Sequence, residues 1–307
     1  MSLFKLLSGL AIGVCLLPAQ AVNVVVNSGY RAPLPLKAAS GQVITLFVRP
    51  FSLRLTSGIS ADTIPLPVNV GGFSATLRQT FSSPIAVPIL SVNPFGTCPA
   101  VATSPACSYL VAITVQIPFE LATNTDRSRL PENFASLTVA ENGVEGDPVQ
   151  ITPVSSNIHI VTSCDSTLQT ISPPCTLLVK HSDGNLVTPK NPAVQDELLT
   201  ISAYGLGRTS TRVETGKLPV DASNPVPELK IGLRMGANPD APDPDVDPSL
   251  AVLSTKEIGL YEISFTAPAP DKNTPACSEK VSSNFSVTVG NGASSASFSL
   301  CLRIPEL

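Results

Sequence analysis

Tyr109-Leu110-Val111-Ala112-Ile113-Thr114-Val115-Gln116-Ile117-Pro118 is the stretch that decides the fold. In an extended chain, Tyr109, Val111, Ile113, Val115 and Ile117 fall on one side, and Leu110, Ala112, Thr114 and Gln116 on the other. Period two with a wholly apolar face predicts a half-buried strand, ended by Pro118. The pattern returns 150 residues later as Tyr261-Glu262-Ile263-Ser264-Phe265-Thr266-Ala267-Pro268. Tyr261, Ile263, Phe265 and Ala267 take the places of Val111, Ile113, Val115 and Ile117, and Pro268 that of Pro118.

Three further pairs recur in the same order. Gln42-Val43-Ile44-Thr45-Leu46 resembles Glu197-Leu198-Leu199-Thr200-Ile201. Val68-Asn69-Val70-Gly71 resembles Leu229-Lys230-Ile231-Gly232, and Leu137-Thr138-Val139 resembles Val287-Thr288-Val289. Two copies of this length predict a duplicated domain, since a solenoid needs more and shorter units. Turn signals separate the strands: Asp183-Gly184 lies between Leu177–Val179 and Leu186–Val187, and Asn291-Gly292 between Val287–Val289 and Phe298–Leu302. Beyond one short turn at Ser128–Phe134, no stretch carries a helical period. The expectation is all-β, with two tandem sandwiches at 22–155 and 156–307, each able to melt on its own when expressed separately.

The first 21 residues read as an export signal, with basic Lys5, an apolar run from Leu6 to Leu17, and Pro18-Ala19-Gln20-Ala21 before the expected cut. The run is shorter than the ~20 apolar residues of a membrane span. Cys15 invites a lipid anchor, but Val14 stands where a small residue belongs. Later in the chain no stretch is long and apolar enough to predict insertion in a membrane. The expected product is secreted, or held at the cell surface or in a periplasm. Its net charge of −4 gives no electrostatic case for nucleic acid.

Beyond Cys15 stand Cys98, Cys107, Cys164, Cys175, Cys277 and Cys301. An even count in an exported chain predicts disulfides, and no Cys-x-x-Cys spacing argues for zinc or thioredoxin-like chemistry. Sequence alone does not choose among the possible pairings, but strand logic narrows them. Cys98 and Cys107 flank the loop before Tyr109. Cys164 and Cys175 face each other across a hairpin after Ile158–Val161. Cys277 and Cys301 remain, flanking the Asn291-Gly292 turn.

Ala38–Phe47, Val70–Ala75, Val115–Leu121, Ser182–Val187, Asn191–Ala193, Tyr204–Gly207, Ile258–Tyr261 and Ser286–Gly290 run in an order that resembles a family of secreted acidobacterial proteins, whose shared C-terminal module is similar to paired immunoglobulin-like domains of the IPT/TIG kind. The resemblance implies two immunoglobulin-like sandwiches with disulfide-closed loops, and no activity. The chain departs from the pattern at Asp196-Glu197, where the family has a glycine-containing turn, and at Gly232-Leu233, where a Gly-Gly is expected.

Few residues offer chemistry. Asp240, Asp243, Asp245 and Asp247 form a dense carboxylate run that has the oxygen ligands calcium takes. Pro239, Pro242, Pro244 and Pro248 favour a solvated acidic loop instead. His159 and His181 are the two histidines, and with the cysteines oxidised they cannot close a zinc site. No Gly-x-Ser-x-Gly elbow occurs, and Gly216-Lys217 lacks the Ser or Thr of a phosphate loop. Sugars stack on exposed aromatic rings; Tyr109 and Tyr261 fall on buried faces, which leaves Tyr30 and Tyr204. The sequence predicts no enzyme and no cofactor. It points to an extracellular structural or protein-interaction module, with a glycan- or surface-binding adhesin, helped by calcium, as the alternative.

Overall fold

A computed structural model describes residues 24–27, 30–31, 36–80, 82–95, 109–123, 134–165, 176–219, 226–236, 245–270, 274–278 and 281–304. Every element of regular structure among them is a strand. Residues 128–133 of the predicted turn and the cysteines Cys98, Cys107 and Cys175 lie outside the described residues.

Four sheets form. The first runs Tyr30–Arg31 (β2), Val24–Asn27 (β1), Val43–Val48 (β4), Leu110–Gln116 (β10), Ile89–Phe95 (β9) and Ile59–Ser60 (β5). The second runs Leu36–Ala39 (β3), Val149–Val154 (β13), Ala135–Glu141 (β11), Phe73–Gln79 (β7) and Asn69–Val70 (β6). Val144–Glu145 (β12) pairs with β11, and Ile85–Val87 (β8) with β7. The third runs His159–Ile160 (β14), Leu198–Tyr204 (β16), Tyr261–Thr266 (β20) and Leu250–Leu253 (β19), with Lys180–His181 (β15) beside β16. The fourth runs Asp245–Val246 (β18), Gly232–Gly236 (β17), Phe285–Gly290 (β21) and Ser295–Leu300 (β22).

The first two sheets share one apolar core, in which Ile44, Leu46, Ile113 and Val115 meet Ala75, Leu77, Leu137 and Ile151. The other two share a second, in which Leu199, Ile201 and Ile263 meet Leu233, Val287 and Leu300. Phe265 and Phe298 pack edge to face across that core, ring centres 6.1 Å apart. This is a β-sandwich arrangement, in which each inner face covers the other.

The recurrence read from the sequence is a recurrence of pairing. Ile113 lies opposite Leu46, and Ile263 opposite Ile201; all four are buried. Thr45 and Thr114 share a hydroxyl hydrogen bond of 3.1 Å, and Thr200 and Ser264 one of 2.9 Å at the matching register. Ile117 N–H donates to Gln42 O at 2.8 Å, and Ala267 N–H to Glu197 O at 2.8 Å. Even the parallel pairing returns: Ala38 lies beside Pro153, and Ala193 beside Leu302. Gly41 turns the chain at φ 75°, and Asp196, where the family pattern wants glycine, takes φ 64° in the same turn.

Two expectations need correction. Leu233 pairs with Val289 as Ala75 pairs with Val139, so Ile231 corresponds to Phe73 and not to Val70. The sequence match slipped because Val-Gly is common near turns. The polar side of β10 is also covered: Ala112 and Gln116 have no exposure. Ala112 packs with Phe47, Phe95 and Leu110, while Gln116 meets the second half of the chain.

Candidate functional site

A cleft of about 580 Å³ opens beside the β21–β22 turn and is lined by Lys230, Gly232, Arg234, Asp247, Thr288 and Gly290–Ser295. It has a floor because the outward residues here are small: Gly232 and Gly290 face each other across β17 and β21. Asp247, one of the acidic run, sits at the rim and pairs with Lys230 at 2.8 Å. Both side chains are exposed, and a solvated pair of this kind contributes little to stability. The surface offers hydroxyls, backbone amides and paired charges, which suit polar contact with a ligand. Asp240 and Asp243 lie outside the described residues, and only the backbone of Asp245 is described. Among the described residues, no three His, Cys, Asp or Glu side chains converge as a metal site.

Tyr204 lies on the outer side of β16 opposite His159 and is half-buried. Burial, then the charges of Glu257 and Asp165, push its phenol further above its ordinary value. It is no open platform for a sugar ring. Tyr30 lies in β2, opposite Asn27. Tyr261 is buried as predicted, and its hydroxyl donates to Gly207 O at 2.8 Å.

Both histidines have acidic neighbours. His159 Nε2 lies 2.8 Å from Asp165 Oδ1. Asp165 Oδ2 in turn accepts from the Thr162 backbone at 2.6 Å and from its hydroxyl at 3.1 Å, which shapes the turn before the Cys164 disulfide. His181 Nδ1 lies 2.6 Å from Glu197 Oε1, and its Nε2 donates to Asn191 O at 3.1 Å. A base held by a carboxylate must leave its second nitrogen free for a nucleophile's proton. In His181 that nitrogen faces a carbonyl, so the pair anchors loop 188–197 to β15.

The sequence reading missed Glu141. It is buried and accepts from Phe51 N–H at 2.5 Å, Ser52 N–H at 2.8 Å, Ser52 Oγ at 2.7 Å and Leu53 N–H at 2.7 Å. Burial opposes its ionisation. The Ser52 hydroxyl and the three backbone donors outweigh that and hold its carboxyl below the usual carboxylate range. The available signal was an acid ending the apolar run Leu137–Ala140, just before Asn142-Gly143.

Cys277 and Cys301 are joined, as expected, with Cα atoms 5.9 Å apart. Asn284 braces them: its amide donates to Pro275 O and Leu302 O, and its carbonyl accepts from Leu302 N–H, all at 2.8 Å. Cys164 is also disulfide-bonded, to a partner outside the described residues.

No family model matches the chain, and no curated protein matches it. Among solved structures, the chain is similar to bovine butyrophilin, at 11% identity and a TM-score of 0.21, over 92% of this chain and 99% of that one. A likeness of that grade carries no argument about function.

Proposed function

We propose that the chain is a non-catalytic extracellular module, built as two tandem immunoglobulin-like sandwiches of the IPT/TIG kind over residues 22–155 and 156–307. It is exported behind residues 1–21 and then secreted or held at the cell surface, where it serves as a structural or protein-interaction element. Disulfides Cys98–Cys107 and Cys164–Cys175 close loops alongside Cys277–Cys301. The observation that carries the reading is what the acids and histidines do. Glu141 holds loop 51–53, His181 with Glu197 holds loop 188–197, and Asp165 holds the turn at Cys164. Groups suited to acid–base chemistry are engaged in shaping loops of a stapled scaffold.

The test is crosslinking with mass spectrometry on intact secreting cells, run beside ester, glycoside and peptide hydrolysis assays on the purified protein. The expected result is adducts to envelope or extracellular proteins, with no turnover above a heat-inactivated control. Turnover that His159→Gln abolishes in a folded protein contradicts the reading.

The polar cleft at Lys230, Arg234 and Thr288 favours a second reading, a glycan- or surface-binding adhesin. Calcium assistance in that reading needs Asp240 and Asp243 to join Asp245 and Asp247. Glycan-array binding lost in Thr288→Val supports it; an array without hits removes it.

A further inference from the structure

The two halves touch through three separated parts of the second half. Loop 205–216 is the main one. Phe119 N–H donates to Thr215 Oγ1 at 2.9 Å, and that hydroxyl donates to Glu120 Oε2 at 2.6 Å. Gly216 N–H donates to Gln116 Oε1 at 2.7 Å, and Leu66 N–H to Gly216 O at 2.8 Å. Arg208 Nη2 donates to Leu121 O at 3.1 Å. The second contact is the turn at Gly259, where a Cβ would stand 2.7 Å from Gly41 O and 2.8 Å from Val43 Cγ2. The third is Asn157, whose side-chain amide donates to Lys37 O and Gln42 Oε1 of the first half.

The connecting residues are held as firmly. Asn157 N–H donates to Gly205 O at 2.7 Å, and its amide to Lys37 O at 3.0 Å. A side chain at Gly205 would collide with Asn157 O, and one at Gly207 with Ser155 O. Phe119 itself, from the first half, packs in the second half's core. Contacts at loop 205–216, at Gly259 and at Asn157 restrain the mutual orientation of the halves, whereas a flexible linker between domains touches at none.

The repeat shows that this interface belongs to one end of one copy. By the register of the recurring strands, Gly41, Gln42, Gln116 and Phe119 correspond to Asp196, Glu197, Thr266 and Ala269. Gln116 is fully buried at the contact, while Thr266 is exposed. Gln42 uses its carbonyl to accept from Ala39 N–H and its amide to reach across to Asn157. Glu197 makes the same local bond to Val194 N–H, but a carboxylate has no donor to give. The far end of the second half therefore lacks the groups that make the contact.

We infer that the two halves form one locked unit, in which the contact centred on Gln116, Thr215, Gly216 and Arg208 fixes the inter-half angle and couples the unfolding of both cores. This rests on the tandem-sandwich reading above. Scanning calorimetry of the full secreted chain tests it, with the variant Gln116→Leu/Arg208→Ala/Thr215→Val and, as control, Thr266→Ala at the corresponding far end. None of these residues lies in either apolar core.

The expected wild-type result is one transition whose van't Hoff and calorimetric enthalpies agree, a ratio of about 1. The triple variant should separate into two transitions, with the ratio falling to about half, while Thr266→Ala keeps one. Two wild-type transitions overturn the lock and leave the tandem reading standing. A triple variant with a single transition at an unmoved midpoint overturns it as well. If the triple variant does not fold, Thr215→Val alone, which removes one hydroxyl at nearly constant shape, must lower the enthalpy ratio or the midpoint.

Discussion

Glu141 shows how much one side chain can decide. Four donors from residues 51–53 converge on its carboxylate. Hydrogen bonds to a buried charge are worth more than neutral ones, so Glu141→Ala should cost about 2–4 kcal/mol in chemical denaturation. The pH dependence follows from the lowered carboxyl. A group whose folded pKa is depressed adds stability above its unfolded value, and that stability is lost as pH falls through the folded one. The gap between wild type and Glu141→Ala should thus be full at neutral pH and should close as pH falls below 4.5, the ordinary value. A gap that stays constant down to pH 3, about 1.5 units lower, would show that the carboxylate's charge is not what binds the loop. Ile113 and Ile263 are the paired test of the cores. Ile113→Asp and Ile263→Asp should each cost several kcal/mol, on the order of 4, because a buried charge without a partner is not solvated.

At the scale of strands and turns, the sequence was legible wherever period two met a turn signal. β10 and β20, the Asp183-Gly184 turn and the Asn291-Gly292 turn all lie where the pattern put them. What was hidden were contacts between residues far apart in the chain. Nothing local tells that Gln116 is covered by Gly216, or that Glu141 serves loop 51–53 some 90 residues earlier. Val70-Gly71 misled because a turn glycine looks the same whether a strand ends or begins beside it. The Cys277–Cys301 pairing was reachable only as the pair left over, because the β21–β22 hairpin sets Leu300 opposite Phe285 and Cys277 must loop back to reach Cys301. Its 24-residue separation puts the loop-closure contribution at about 3.5 kcal/mol. Cys277→Ser/Cys301→Ser should lower stability by roughly that amount in the same denaturation assay. Non-reducing peptide mapping should also recover Cys98–Cys107 and Cys164–Cys175; a peptide joining Cys98 to Cys164 would contradict the proposed loops.

For the whole molecule, the proposed export signal is compatible with the architecture. β1 begins at Val24 and pairs with β4 from Val24 opposite Phe47 to Asn27 opposite Ile44. A cut after Ala21 leaves that strand whole. Intact-mass analysis of the secreted protein should find Val22 as the first residue; a mature chain starting beyond Asn27 would remove a strand from the first sheet. The candidate cleft was not legible, because small residues in a strand say nothing until register places Gly232 opposite Gly290.

One pairing plan recurs in the two halves, and the proposed lock joins them. Residue-resolved hydrogen exchange on the full chain reads both, because protection follows the stability of each paired segment. Matching slow exchange is expected in β4 and β16 and in β10 and β20, together with slow amides at Leu66 and Gly216, both donors in the contact between the halves. If β16 and β20 exchange freely while β4 and β10 stay protected, or if Leu66 and Gly216 exchange at the rate of open loops, the plan is not repeated or the halves are not joined as described.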